Sequence, residues 1–78
     1  MENDRRELLG RLFAIACDLI ERAHETAVAG QSPQLDAKSA ALCARSLATT
    51  ARDLAALAET AGMVARGRDG GGRDGDVN

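Results

Sequence analysis

One histidine and two cysteines are the residues of this 78-residue chain with the widest chemical range. A zinc site needs three or four such ligands at short, regular spacing. His24, Cys17 and Cys43 stand apart, with no C-x-x-C or H-x-x-x-H pattern, so neither a metal nor a cofactor is expected. Cys17 sits beside Asp18 and Glu21, the opposite of the cationic setting that activates a thiolate nucleophile. His24, flanked by Glu21 and Glu25, has no nucleophile or metal to serve and reads as an incidental surface residue. The glycines after position 66 lack phosphate-loop spacing and no lysine follows them. No catalytic residue is assigned, and a non-enzyme is expected.

One constellation remains. Lys38, Arg45, Arg52 and Arg66 recur at multiples of seven, interrupted by Glu59. Such a row can track a phosphate backbone, or it can be a solvated helix flank. The choice depends on the elements that carry it.

Composition bounds those elements. A chain this short buries little and needs disulfides, a metal or a partner chain. The two cysteines sit inside helical patterns. The first residues are charged and no apolar leader follows, so the chain is expected to be cytoplasmic, with reduced thiols. No apolar run approaches the ~20 residues of a membrane span. Association with other chains is the remaining source of stability. Net charge is −2 and Phe13 is the only aromatic, which argues against a protein that binds nucleic acid by itself.

The pattern predicts an all-α, antiparallel, coiled-coil-like two-helix hairpin that assembles into a helical bundle or ring. Helices are expected at about 4–29 and 37–66, with a turn at 30–36 and a flexible tail at 67–78. Asn3 or Asp4 can cap the first helix, with Asp4 and Glu7 spaced as a capping box. Two apolar seams run along it about 100° apart. One is Leu8, Leu12, Ile15 and Leu19. The other is Leu9, Phe13, Ala16, Ile20, Ala23 and Ala27. One antiparallel neighbour covers only one such seam.

Gly30 suits the position just past a helix end. The second helix can start at Ser32, with Pro33 in its first turn, or at Asp36, with Leu35 packing back on Ala40. Asp36 is favoured, with a short turn at Pro33. Gly67 lies just beyond the expected end at Arg66. The expected seam of this helix is Ala40, Ala44, Leu47, Ala51, Leu54, Ala58, Ala61 and Ala65. Cys43, Thr50, Leu57 and Val64 form a second row beside it. The alanines allow two helix axes to approach near the short end of the 8–10 Å range.

Folding the hairpin symmetrically about the turn places residues whose numbers sum to roughly 65 opposite each other. Arg6 would then meet Glu59, Glu21 would meet Arg45 and Glu25 would meet Lys38. That favours the solvated flank for the basic row. Cys17 and Cys43 would lie ~7.5 Å out of step along the axis, too far for an intrachain disulfide.

The second helix also carries a family resemblance. Leu35-Asp-x-Lys38, Ala40-Ala-Leu42 and Leu47-Ala-x-x-Ala51-Arg-x-Leu54-x-x-Leu57 resemble the oligomerisation hairpin of small terminase subunits. The likeness is to the reduced forms of alphaproteobacterial phages and gene transfer agents, and it covers about half the chain. It implies a homo-oligomer, dimer or ring, that helps the large terminase subunit select or package DNA. It also implies a partner-binding tail, where Arg68, Asp69, Arg73 and Asp74 are the candidates. Small terminases usually carry an N-terminal helix-turn-helix, and only four residues precede the first expected helix. Any DNA contact is therefore expected to be weak and non-specific, from Arg5, Arg6, Arg45 or Arg52. The competing reading is a dimeric helical adaptor, a four-helix bundle that binds another protein. Neither reading involves a small-molecule ligand or a membrane.

Overall fold

The computed structural model describes residues 2–67. They form two helices, α1 (Glu2–Gly30) and α2 (Ala37–Arg66), packed antiparallel as an all-helical hairpin. The expected tail residues after Gly67 lie outside the described part.

The ends of the helices follow local chemistry, with two departures from the expected pattern. α1 begins at Glu2, so Asn3 and Asp4 lie inside its first turn and do not cap it. Nothing at these positions blocks helical backbone, and acidic residues favour the positive end of the helix dipole. Gly30 is the last residue of α1, not a left-handed cap beyond it. The helix closes through tighter bonds, from the Gln31 amide to Val28 O (3.1 Å) and from the Ser32 amide to Ala29 O (3.3 Å).

Ser32 organises the turn rather than starting α2. Its hydroxyl accepts from the Gln34 amide at 3.3 Å, and its carbonyl accepts from Leu35 at 3.2 Å. Asp36 is the N-cap of α2. Its backbone is extended and its carboxylate accepts the Ser39 amide at 2.7 Å. That bond, joined by the Ser39 side chain, holds the Asp36 carboxyl below its ordinary pKa. Gly67 closes α2 with φ 77°, donating its amide to Val64 O at 3.1 Å.

The hairpin seam consists of alternating steps of three and four. From α1 it takes Leu9, Leu12, Ala16, Leu19, Ala23 and Thr26; from α2 it takes Cys43, Leu47, Thr50, Leu54, Leu57, Ala61 and Val64. On α1 this line bisects the two expected seams, taking alternate members from each. On α2 it joins the expected second row to Leu47, Leu54 and Ala61, and leaves most of the alanine row outside.

The register also differs from the symmetric expectation. A Cβ on Gly30 would stand 3.9 Å from Cys43 Cβ, and a Cβ on Gly67 would stand 3.3 Å from the Arg5 guanidinium. Facing residues therefore have numbers that sum to about 72. The turn climbs beyond the end of α1 before α2 begins, so α2 overhangs α1 by about 8 Å. Leu35, in the turn just before Asp36, is half-buried.

Little is covered by this packing. Leu19 (8 % exposed) and Ala61 (6 %) are the only buried residues among those described. Phe13 (61 %) and Ile20 (53 %) are largely exposed, as are Leu8, Ile15, Val28, Leu42 and Met63.

Candidate interaction surfaces

An antiparallel pair of helices has two broad faces. The residue following each a-type position (here Leu9 and Ala16 on α1, Leu47 and Leu54 on α2) stands four places further on, beside the seam. In antiparallel geometry these flanking rows from both helices fall on the same face. The first face therefore carries Phe13, Ile20 and Ala27 from α1, with Arg6 at the end of the same row. From α2 it carries Ala44, Ala51, Ala58 and Ala65, backed by Ala41, Ala48, Ala55 and Gly62. A shallow groove lined by Ala27, Gly30, Ala40 and Ala44 lies on this face near the turn.

The opposite face carries Leu8, Ile15 and Arg22 from α1 against Ser39, Ser46, Asp53 and Thr60 from α2. Its grooves lie at the two ends. One is lined by Asp4, Arg5, Leu8 and Val64. The other is lined by Thr26, Ala29, Leu42 and Ser46. The Thr60 hydroxyl donates to Ala56 O at 3.0 Å and so is satisfied within its own helix. The two faces thus differ in kind, one apolar with large and small residues segregated by helix, the other mixed.

The sequence-predicted interface residues divide accordingly. Leu9, Leu12, Leu19, Leu54, Leu57 and Ala61 hold the hairpin together, with Leu47 at its edge. Phe13, Ile20, Ala44, Ala51 and Ala58 form the apolar face, and Leu8 and Ile15 lie on the mixed one. Ala40 lies beyond the end of α1 and is exposed. The second alanine row, Ala41, Ala48 and Ala55, was not singled out from sequence. Its signal was seven-residue recurrence of small residues, hidden because the first row competed for the same seam.

The candidate cations do not form one surface. Arg5 lies against Gly67 at the C-terminal end of α2, where a cation meets the negative end of the helix dipole. Arg6 is on α1, whereas Arg45 and Arg52 stand on the outer side of α2, away from the seam and exposed. With the observed register, Arg6 faces the end of α2 rather than Glu59, and Glu21 and Glu25 face Ala51 and Leu47 rather than Arg45 and Lys38. The expected cross-helix ion pairs are thus out of register by a full heptad. The basic row is solvated, but acids on α1 do not neutralise it.

Cys17 is exposed and Cys43 half-buried, and both thiols are free. In this register they are ~18 Å apart along the axis. Among the described residues no group of three His, Cys, Asp or Glu side chains is placed to hold a metal ion. No helix among them is long and apolar enough to cross a membrane. Arg68, Asp69, Arg73 and Asp74 lie outside the described residues.

Comparison with protein families, with curated proteins and with solved structures returned no match.

Proposed function

We propose that the chain is a non-enzymatic, self-associating helical-hairpin subunit of the small-terminase type, which recruits or regulates the large subunit of a DNA-packaging motor. The observation that carries self-association is the mismatch between core and surface. Two of the described residues are buried, while Phe13, Ile20, Leu8, Ile15, Leu42 and Met63 stay exposed. Phe13 and Ile20 share one face with the alanines of α2, and an apolar face on a scaffold that buries this little supports an interaction surface there. The packaging role rests on the resemblance carried by Leu35–Leu57.

A second reading, a dimeric adaptor built as a four-helix bundle, is favoured by the concentration of alanine on one face. Mass measurement of the assembly in solution, followed by capture of a large terminase subunit, separates the two. The packaging reading expects a stable complex with the large subunit that is lost when residues 68–78 are removed. A self-associated protein that ignores the large subunit in both forms supports the adaptor. A single copy at micromolar concentration refutes both readings.

A further inference from the structure

We propose that a second copy of this chain covers the apolar face through a two-fold axis parallel to the helices, so that α1 of each copy lies on the alanine flank of α2 of the other. The proposal rests on the self-association reading and adds the face, the partner and the symmetry.

Three observations select this occupant. First, the face is self-complementary. Bulk is confined to α1, at Phe13 and Ile20, and the facing positions of α2 are Ala44, Ala51 and Ala58. A two-fold parallel to the helices superposes the bulky row of one copy on the alanine row of the other. Knobs then meet shallow holes and the layer spacing is uniform. Second, the charge distribution fits. The α2 half of the face, from Ala44 to Ala65, presents no charged side chain toward the partner, and the cations of α2 stand on its outer side. On the α1 half Arg6, at the end of the row, is charged, so a partner rich in charge would find little to pair with along the face. Third, the size fits. Two helices about 45 Å long and about 20 Å wide together offer roughly 900 Å² per copy, against the ~800 Å² per partner of a stable complex. The mixed face, with Leu8, Ile15 and Leu42, stays outward for other contacts.

The symmetry makes a specific prediction about Cys17. It stands on the rim of the apolar face at the same axial height as Ala55, since their numbers sum to about 72. Within one hairpin these two rim positions point away from each other, on opposite edges. In the proposed pair, Cys17 of one copy faces Ala55 of the other on the same edge, within disulfide reach.

The full-length chain carrying Cys43→Ser and Ala55→Cys is oxidised with diamide and run on a non-reducing gel, beside Cys43→Ser alone. The proposal expects a covalent two-copy species from the double variant and none from Cys43→Ser. A two-copy species from Cys43→Ser alone would place α1 against α1 and overturn it. A ladder of three or more linked copies would show head-to-tail packing and overturn the two-fold. No cross-link from a protein that sediments as an oligomer would move the interface to the other face. A protein that sediments as one copy at every concentration would remove the self-association reading itself. In parallel, Ala51→Arg is expected to weaken association at least tenfold, while Ala56→Arg, on the outer side of α2, leaves it unchanged. Equal effects of the two substitutions would count against the face.

Discussion

Phe13 provides the sharpest energetic test. It remains 61 % exposed in the hairpin, although it is the largest apolar side chain present. A phenylalanine presents ~200 Å² of burial area, so about 120 Å² per copy stays wet. At ~25 cal/mol/Å² this is about 3 kcal/mol per copy not realised within one hairpin, or about 6 for two copies. Incomplete burial and the area retained by alanine reduce this by about half. Phe13→Ala should therefore raise the dissociation constant of the assembly roughly 100-fold. The portion of Phe13 already covered within one copy, about 80 Å² or about 2 kcal/mol, is a separate loss that does not depend on concentration, so the association constant is the quantity that isolates the interface. Leu19→Ala is the contrasting case. Leu19 is nearly covered by its own hairpin and its truncation should cost about 2–3 kcal/mol in any assembly state. Sedimentation equilibrium over a hundredfold concentration range, with far-ultraviolet dichroism on the same samples, reads both effects. Should Phe13→Ala leave the association constant within threefold of the parent, the assignment of Phe13 to an interface would be refuted.

Other predictions concern the ends, the seam and the cations. Leu54→Asp should abolish folding and assembly together, because it inserts a carboxylate into the seam that joins α1 to α2; a helical, stable Leu54→Asp monomer would contradict that. The Asp36 carboxyl has a folded pKa below its unfolded one, so its cap contributes above the unfolded value, near 3.8, and fades as pH falls through the folded value. Asp36→Asn keeps a capping oxygen without the titration, so its stability should fall less steeply below pH 4 in acid melts. Gly67→Ala should destabilise the end of α2 by about 1 kcal/mol, since a side chain is strained at φ 77° and would crowd Arg5. Any DNA shift by the isolated protein should be salt-dependent and lost when Arg45 and Arg52 are both replaced by alanine.

Much of the hairpin was legible in the residue pattern because heptad recurrence reports the helical cylinder directly. The Asp36 cap and the stop at Gly67 are local chemistry, readable within four residues. The facing direction was less legible. On α1, apolar residues at Leu8, Leu9, Leu12, Phe13, Ile15 and Leu19 fill a sector wider than one neighbour covers, and periodicity alone does not say where inside that sector the partner axis falls. On α2, alanine recurs so often that several adjacent rows are equally regular. The structure runs the seam between the Cys43, Thr50, Leu57 and Val64 row and the Leu47, Leu54 and Ala61 positions, so that three leucines lie on it, and leaves most of the alanines outside.

The register was the least legible feature, and it has the largest consequence for the charges. A one-heptad slip preserves every seam position, because the pattern repeats every seven residues, so hydrophobic periodicity cannot distinguish one register from the next. What selects the register is the turn. Ser32, Pro33 and Leu35 send the chain onward along the axis before Asp36 starts α2, and that offset decides which residues face each other. The slip moves the expected pairs Arg6–Glu59, Glu21–Arg45 and Glu25–Lys38 apart along the axis, and facing direction separates them as well, since Arg45 and Arg52 stand on the outer side of α2. Arg45 and Arg52 therefore project into solvent without neutralisation from the first helix. In an assembly built on the alanine face, they would recur on its outer surface, available to an acidic partner.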